Sequence, residues 1–235
     1  MAIRAALVLG AAVILAAAIF GVFFRSARAT RDTIQVTGAA TEAFEADVVK
    51  WSITISRQVP TDGIAGGYGE LRDDRAQVVR RLQQAGVPEE ALNVQPVTAN
   101  PRWDQFGSQV GFSLDQGLTV VAEDGGRELE AIALDPGPLL ESGVVLQYSR
   151  LEYFYSGIDE LKHRLLSQAT ADARRRAEEI AGGSEMAIDK IVSARAGVFQ
   201  ITEPFSTEVS DYGVHSTATR KKEITVTVHA TFSVD

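Results

Sequence analysis

The chain has 235 residues, 45% hydrophobic and 23% charged, with 20 glycines, seven prolines and no cysteine. This apolar fraction excludes wholesale disorder, and a mean hydropathy near zero excludes a polytopic membrane protein. The net charge of −8 is uneven: residues 1–31 carry Arg4, Arg25, Arg28 and Arg31 and no acid. The remainder holds 19 basic and 31 acidic side chains, a balance of −12 that argues against a nucleic-acid partner. Without cysteine no disulfide can form, which fits either redox compartment.

The first element is an uncharged run over residues 5–24, with Leu7, Leu9, Val13, Ile14, Leu15, Ile19, Phe20, Phe23 and Phe24 as its large apolar members. As a helix it would be about 30 Å long, enough to cross a hydrocarbon core once. A cleaved leader has an apolar core of roughly 7–15 residues. The longer run therefore predicts an uncleaved signal anchor over residues 1–29, and Ala27-Arg28-Ala29 keeps cleavage as the alternative. Arg25, Arg28 and Arg31 beyond the run oppose export under the positive-inside rule.

A short strand is expected over Thr33–Gly38. Val49, Trp51, Ile53 and Ile55 alternate with Lys50, Ser52, Thr54 and Ser56, the period of a half-buried strand. Leu71, Val78, Leu82 and Ala85 follow helical spacing and stop at Gly86 and Pro88. The glycines at 63, 66, 67 and 69 read as a flexible lead into that helix, and the adjacent Asp73 and Asp74 as solvated surface. Strands follow at Asn93–Ala99 and through Phe112, Leu114, Leu118 and Val120. A short helix over Arg127–Leu134 is cut by Asp135-Pro136-Gly137-Pro138, and an aromatic-rich strand spans Val144–Tyr155. In that strand Tyr153, Phe154 and Tyr155 alternate faces, so both faces must be covered.

Leu161, Leu165, Ala169, Ala173 and Ala177 form the stripe of a long helix ending at Gly182-Gly183. The pairs Glu160/Arg164, Asp172/Arg176 and Arg175/Glu179 are expected on its solvated side. Ile188–Ala194 is a strand candidate. Residues 197–219 have no strong periodicity, yet they carry Phe199, Ile201, Phe205, Val209, Tyr212 and Val214. Those six are the candidate assembly surface. The closing strand buries Ile224, Val226, Val228, Ala230, Phe232 and Val234.

Residues 45–155 thus read strand, helix, strand, strand, helix, strand, the order of a ferredoxin-like βαββαβ unit. The expected fold class is α+β. A ferredoxin-like part over 43–156 is joined by a second small sheet-and-helix part built from 30–42 and 157–235, behind the N-terminal helix.

Thr33-Ile-Gln-Val-Thr-Gly-Ala-Ala, Glu45-Ala-Asp-Val-Val-Lys-Trp-Ser-Ile-Thr-Ile and the helix end Val78-Val-Arg-Arg-Leu-Gln-Gln-Ala-Gly-Val-Pro occur in that order. They are followed by Leu92-Asn-Val-Gln-Pro, Ala169-Thr-Ala-Asp-Ala-Arg-Arg-Arg-Ala-Glu-Glu-Ile-Ala and Glu223-Ile-Thr-Val-Thr-Val-His-Ala-Thr-Phe. Together these segments resemble the SIMPL-domain family of bacterial envelope proteins over residues 33–234. The resemblance implies an exported, periplasmic or envelope-associated protein of two α+β parts; with the apolar run 5–24 the expectation is the periplasmic face of the inner membrane, held by a single-pass anchor, or a cleaved and soluble periplasmic form. It implies no agreed enzymatic activity and no cofactor. Self-association and a link to oxidative or envelope stress tolerance are its usual implications.

The residues themselves name no catalytic, cofactor-binding or metal site. His163, His215 and His229 fall on a helix, a loop and a strand rather than at ligand spacing, with convergence of His215 and His229 the remaining possibility. No Walker A, dinucleotide, nucleophile-elbow or S-x-x-K pattern occurs. Trp103, Phe106 and Phe112 near Arg102 read as core or junction packing rather than a base-stacking platform. The expectation is a non-enzymatic, membrane-anchored homo-oligomer. The alternatives are a ligand-binding or enzymatic domain using His215, His229 or Arg102 in a cleft between the two parts, and an adaptor for other envelope proteins.

Overall fold

The structure, a computed structural model, describes residue 10 and residues 14–21 and 32–235. Of the expected membrane segment, Leu7, Leu9, Val13, Phe23 and Phe24 lie outside the described residues, as do Arg4, Arg25, Arg28 and Arg31. Ile14, Leu15, Ile19 and Phe20 sit exposed on a helical stretch, 14–21. Among the described residues no helix is long and apolar enough to cross a membrane.

The elements are β1 (Thr33–Glu45), β2 (Val48–Val59), α1 (Ile64–Gln84), β3 (Leu92–Trp103), β4 (Gln109–Ala122), α2 (Arg127–Leu134), α3 (Gly137–Glu141) and β5 (Leu146–Phe154). They continue with α4 (Ile158–Gly182), β6 (Ile188–Ala196), β7 (Gln200–Thr202) and β8 (Lys221–Val234). The fold is mixed α+β with two antiparallel sheets, ordered β3-β4-β2-β5 and β1-β8-β6, with β7 also paired to β8. Two compact units emerge. One holds the described residues up to Ala39 with Ala169–Gly197 and Val228–Asp235, the other Ala40–Gln168 with Val198–Thr227. Three of the four divisions fall inside β1, α4 and β8, and the fourth between β6 and β7.

In the larger unit, the order β3-β4-β2-β5 is the one a split βαβ chain produces: β4 returns between β3 and β2, and β5 pairs on the far side of β2. Trp51 lies opposite Val120 of β4 and Leu151 of β5. Alternation along β2 and β4 buries Val49, Trp51, Ile53, Ile55, Leu114, Leu118 and Val120. On them pack Leu71, Val78 and Leu82 of α1, Leu129 and Ile132 of α2, and Leu139 of α3. Polar intruders are satisfied: Trp51 Nε1 donates to Ser149 Oγ at 2.9 Å, and the buried Gln116 donates to the Gln95 carbonyl at 2.9 Å.

Two local expectations are corrected here. The glycines at 66, 67 and 69 are not a flexible lead but the first turns of α1, which begins at Ile64. Gly67 is buried, and a Cβ there would collide with Val59 and Leu114, so glycine is what lets the helix approach the sheet. Asp74 is not solvated like Asp73: it shares the apolar face of α1 with Leu71 and Val78, is 1% exposed, and is gripped by Arg57 of β2. The Asp135–Pro138 break ends α2 as expected, but the chain resumes at once as α3.

In the smaller unit, Ala173 and Ala177 pack on Ala230 and Phe232, flanked by Ile34, Val36 and Ile188. β6 pairs antiparallel with β8, Ala194 opposite Ala230 and Ala196 opposite Val228. The stripe Leu161, Leu165, Ala169, Ala173 and Ala177 of α4 is buried as expected. Its charges pair differently. Asp172 binds Arg176 at 2.8 Å but also takes Arg175, Arg174 bonds Glu178, and Arg164 reaches off the helix to Glu42 of β1 at 2.5 Å.

Candidate functional site

The segment between β6 and β8 is more ordered than its lack of periodicity suggested. Gln200–Thr202 forms β7, with Ile201 opposite Ile224 of β8. Ile201 is therefore a core residue, 3% exposed, and not part of a surface. The Gln200 side chain closes the loop that follows: its Nε2 donates to the Ser210 carbonyl at 2.7 Å, and its Oε1 accepts from the amides of Val214 at 2.8 Å and Ser210 at 3.3 Å. The Ile201 amide donates to the Val214 carbonyl at 2.8 Å, and the Ser216 amide to the Ile201 carbonyl at 2.9 Å. Gly213 makes the return with φ +88°, where a side chain would press on the Phe199 carbonyl.

The six candidate surface residues therefore divide. Phe199 and Val214 sit half-buried at the neck, with the Lys162 ammonium 5.9 Å from the Phe199 ring centroid. Phe205, Val209 and Tyr212 project from the loop, 94%, 78% and 97% exposed. Phe205 also holds φ +65°, a left-handed conformation that large side chains rarely adopt.

A second exposed pair lies at the β3–β4 turn. There Asp104 Oδ1 accepts from the amides of Phe106 at 2.9 Å and Ser108 at 2.8 Å. Trp103 and Phe106 are exposed, which corrects the core-packing expectation; of the three rings only Phe112 packs against the core.

Of the rings of Tyr153, Phe154 and Tyr155, the first is buried by the chain's own residues and the other two are half-buried. Tyr153 is buried, its hydroxyl donating to Glu130 Oε1 at 2.7 Å. Arg220 bonds the other Glu130 oxygen and donates to the Gly125 carbonyl at 2.7 Å, and its guanidinium carbon lies 5.3 Å from the Tyr153 ring centroid. Burial, then the bond to Glu130, pushes the Tyr153 hydroxyl up to about 12. Burial acts to raise the Glu130 carboxyl, but Tyr153 and Arg220 outweigh it and hold it below the usual range.

Phe44, Tyr153, Phe154, Tyr155, Ile158, Ile201, His215 and Lys222 line a cavity of about 100 Å³. The Phe44 and Tyr155 rings are tilted at 49° with centroids 5.2 Å apart. Lys222, 2% exposed, donates from Nζ to the Ser216 carbonyl at 2.5 Å. Ser216 Oγ in turn donates to Glu203 at 2.5 Å. Burial holds the Lys222 ammonium below the usual lysine range, with the nearby Glu203 charge opposing. Sequence reasoning missed this lysine although the signal was present: extending the alternation of Ile224, Val226 and Val228 one step back puts Lys222 on the buried face.

The histidines are not gathered. His163 is exposed on α4, His215 lines the cavity just described, and His229 bonds Thr37 Oγ1 at 2.8 Å beside a surface depression shared with Gln35 and Arg195. Arg102 is exposed on β3 and lines neither space. Among the described residues no group of three or more His, Asp or Glu side chains is placed to hold a metal ion.

A comparison with curated protein sequences finds no match. The family model SIMPL, protein of unknown function (DUF541), matches residues 34–232, from the second residue of β1 almost to the end of β8. Apart from α3 and β7, the order of strands and helices that this match covers is the one expected from residue patterning, and the chain belongs to the SIMPL family.

Proposed function

We propose that this protein is a non-enzymatic component of the bacterial envelope, tethered by residues 5–24 to the periplasmic face of the inner membrane and assembled into a homo-oligomer. The observation that carries the reading is the loop holding Phe205, Val209 and Tyr212. Three large apolar side chains stand in solvent on a backbone fixed by Gln200 and Gly213, and one of them occupies a left-handed conformation. Covering each is worth about 1.5–3 kcal/mol. Rigid aromatic anchors lose little conformational entropy on docking, which makes them the usual energetic centre of an interface. A second copy of the chain is the partner in this reading, with other envelope proteins as the competing occupants. The role in oxidative or envelope stress tolerance implied by kinship belongs to the same proposal.

Sedimentation of the full-length chain in mild detergent tests it. A species larger than the monomer that dissociates when Phe205 and Tyr212 are both changed to Ser supports it, and a monomer at every concentration overturns it. Protease protection of intact cells, combined with mass determination, tests the anchor. A protected body with the N-terminus retained supports it; a protected but shortened chain replaces it with a cleaved periplasmic form.

A further inference from the structure

The aromatic cavity of the larger unit is lined by a buried cation, Lys222, that makes no direct ion pair among the described residues. Lys222 reaches it from the buried face of β8, and among the described residues no carboxylate pairs with its Nζ; its hydrogen bond goes to the neutral Ser216 carbonyl. Glu203 acts on the ammonium through its charge, while its Oε1 accepts from the Ser216 hydroxyl. A buried ammonium is costly unless it is paired, and it has three donors to place. The Ser216 carbonyl takes one. The cavity that Lys222 lines is walled by Phe44, Phe154 and Tyr155 with Ile158 and Ile201, and His215 lines it as well.

We propose that this cavity binds a short-chain monocarboxylate, its carboxylate on Lys222 and its apolar tail among Phe44, Phe154 and Tyr155. The volume sets the tail length. A cavity of about 150 Å³ accommodates benzene, so about 100 Å³ suits a body one or two atoms smaller, such as propionate. A neutral ligand of the same shape would leave the ammonium without a directly bonded anion. An inorganic anion would leave the apolar walls unfilled.

The test is a titration of the full-length protein in detergent with ¹³C-labelled propionate, followed by line broadening, with propionamide and chloride as comparison ligands. Saturable propionate binding, roughly tenfold or more tighter than propionamide and not displaced by equimolar chloride, is expected. Lys222→Met, which keeps the length and apolar stem of the side chain, should weaken propionate by at least about tenfold. The comparison of propionate with propionamide needs no substitution, so it decides even if Lys222→Met does not fold. Equal binding of acid and amide, absence of saturable binding, displacement by equimolar chloride, or unchanged binding by a folded Lys222→Met protein overturns the proposal.

Discussion

Arg57 of β2 grips Asp74 of α1 through two parallel hydrogen bonds, Nε to Oδ2 at 2.5 Å and Nη2 to Oδ1 at 2.6 Å, and its Nη2 also reaches the Gly143 carbonyl at 3.0 Å. The partners are unequally exposed, the Asp74 side chain at 2% and Arg57 at 28%. Removing the arginine strands a buried carboxylate, whereas removing the acid leaves a cation with a route to water. Arg57→Met should therefore destabilise by about 3–5 kcal/mol and Asp74→Asn by clearly less. Because Asp74 sits between Leu71 and Val78 on the apolar face, the double change Arg57→Met/Asp74→Leu should recover most of the loss. Urea unfolding of the four proteins checks the ordering, and equal losses for the two single changes would refute it.

Gly67 and Gly66 are neighbours on α1 with opposite expected responses. A Cβ at Gly67 meets Val59 and Leu114 in the core, while at Gly66 it meets open space. Gly67→Ala should cost about 1–3 kcal/mol through overpacking. Gly66→Ala should add about 0.4–1 kcal/mol by restricting the unfolded chain. Thermal denaturation of the two variants separates these signs directly.

Strand and helix identity was legible wherever one face was uniformly apolar. The alternations of Val49–Ile55 and Ile224–Phe232 and the Leu161–Ala177 stripe all lie where periodicity placed them. The failures share a cause: a polar or small residue on a buried face was read by its type and not by its position. Asp74 continues an apolar stripe and is buried because Arg57 satisfies it, Lys222 continues another on a single hydrogen bond to the Ser216 carbonyl, and Gly67 is buried because it has no side chain. In the opposite direction, Trp103 and Phe106 were read as core by type, whereas the β3–β4 turn carries them outward. The closure of the 203–213 loop was not legible. It depends on one glutamine amide meeting backbone groups ten and fourteen residues away.

The carboxylates that the fold holds below their usual range predict acid sensitivity. Glu152 is lowered chiefly by Lys50, Glu42 by Arg164, Asp172 by the Ala39 amide and then Arg176, and Glu203 by Ser216. Tyr153 and Arg220 likewise lower Glu130 against burial. A carboxyl with a depressed folded-state pKa contributes stability that is present above its ordinary value, near 4, and is lost as pH falls through the lowered value. Tyr153 acts at the other end. Its raised pKa contributes below about pH 10, and that contribution disappears between there and about 12. The melting temperature should fall as pH drops below about 4. Tyr153→Phe should cost about 0.5–1.5 kcal/mol at neutral pH and flatten the alkaline decline. An unchanged alkaline limb in that variant would mean that Tyr153 is not its source.

Gln200 provides the sharpest separation of folding from assembly. Deleting 199–214 would remove β7 and the buried Ile201 along with the loop, so loss of assembly in that protein would be uninformative. Gln200→Ala leaves β7 paired to β8 and removes only the side-chain bonds to Ser210 and Val214. Each lost bond is worth about 0.5–1.5 kcal/mol, and exposed backbone groups recover part of it from water. The expected result is a modest fall in melting temperature and faster chymotryptic cleavage after Phe205 and Tyr212. Self-association should weaken although all three apolar side chains remain, because an unfixed loop must be ordered on docking. A double change of Gln200→Ala with Phe205→Ser should then lose less than the two single effects combined, since both act through one surface. Full additivity in sedimentation would place Phe205 outside the interface that Gln200 organises.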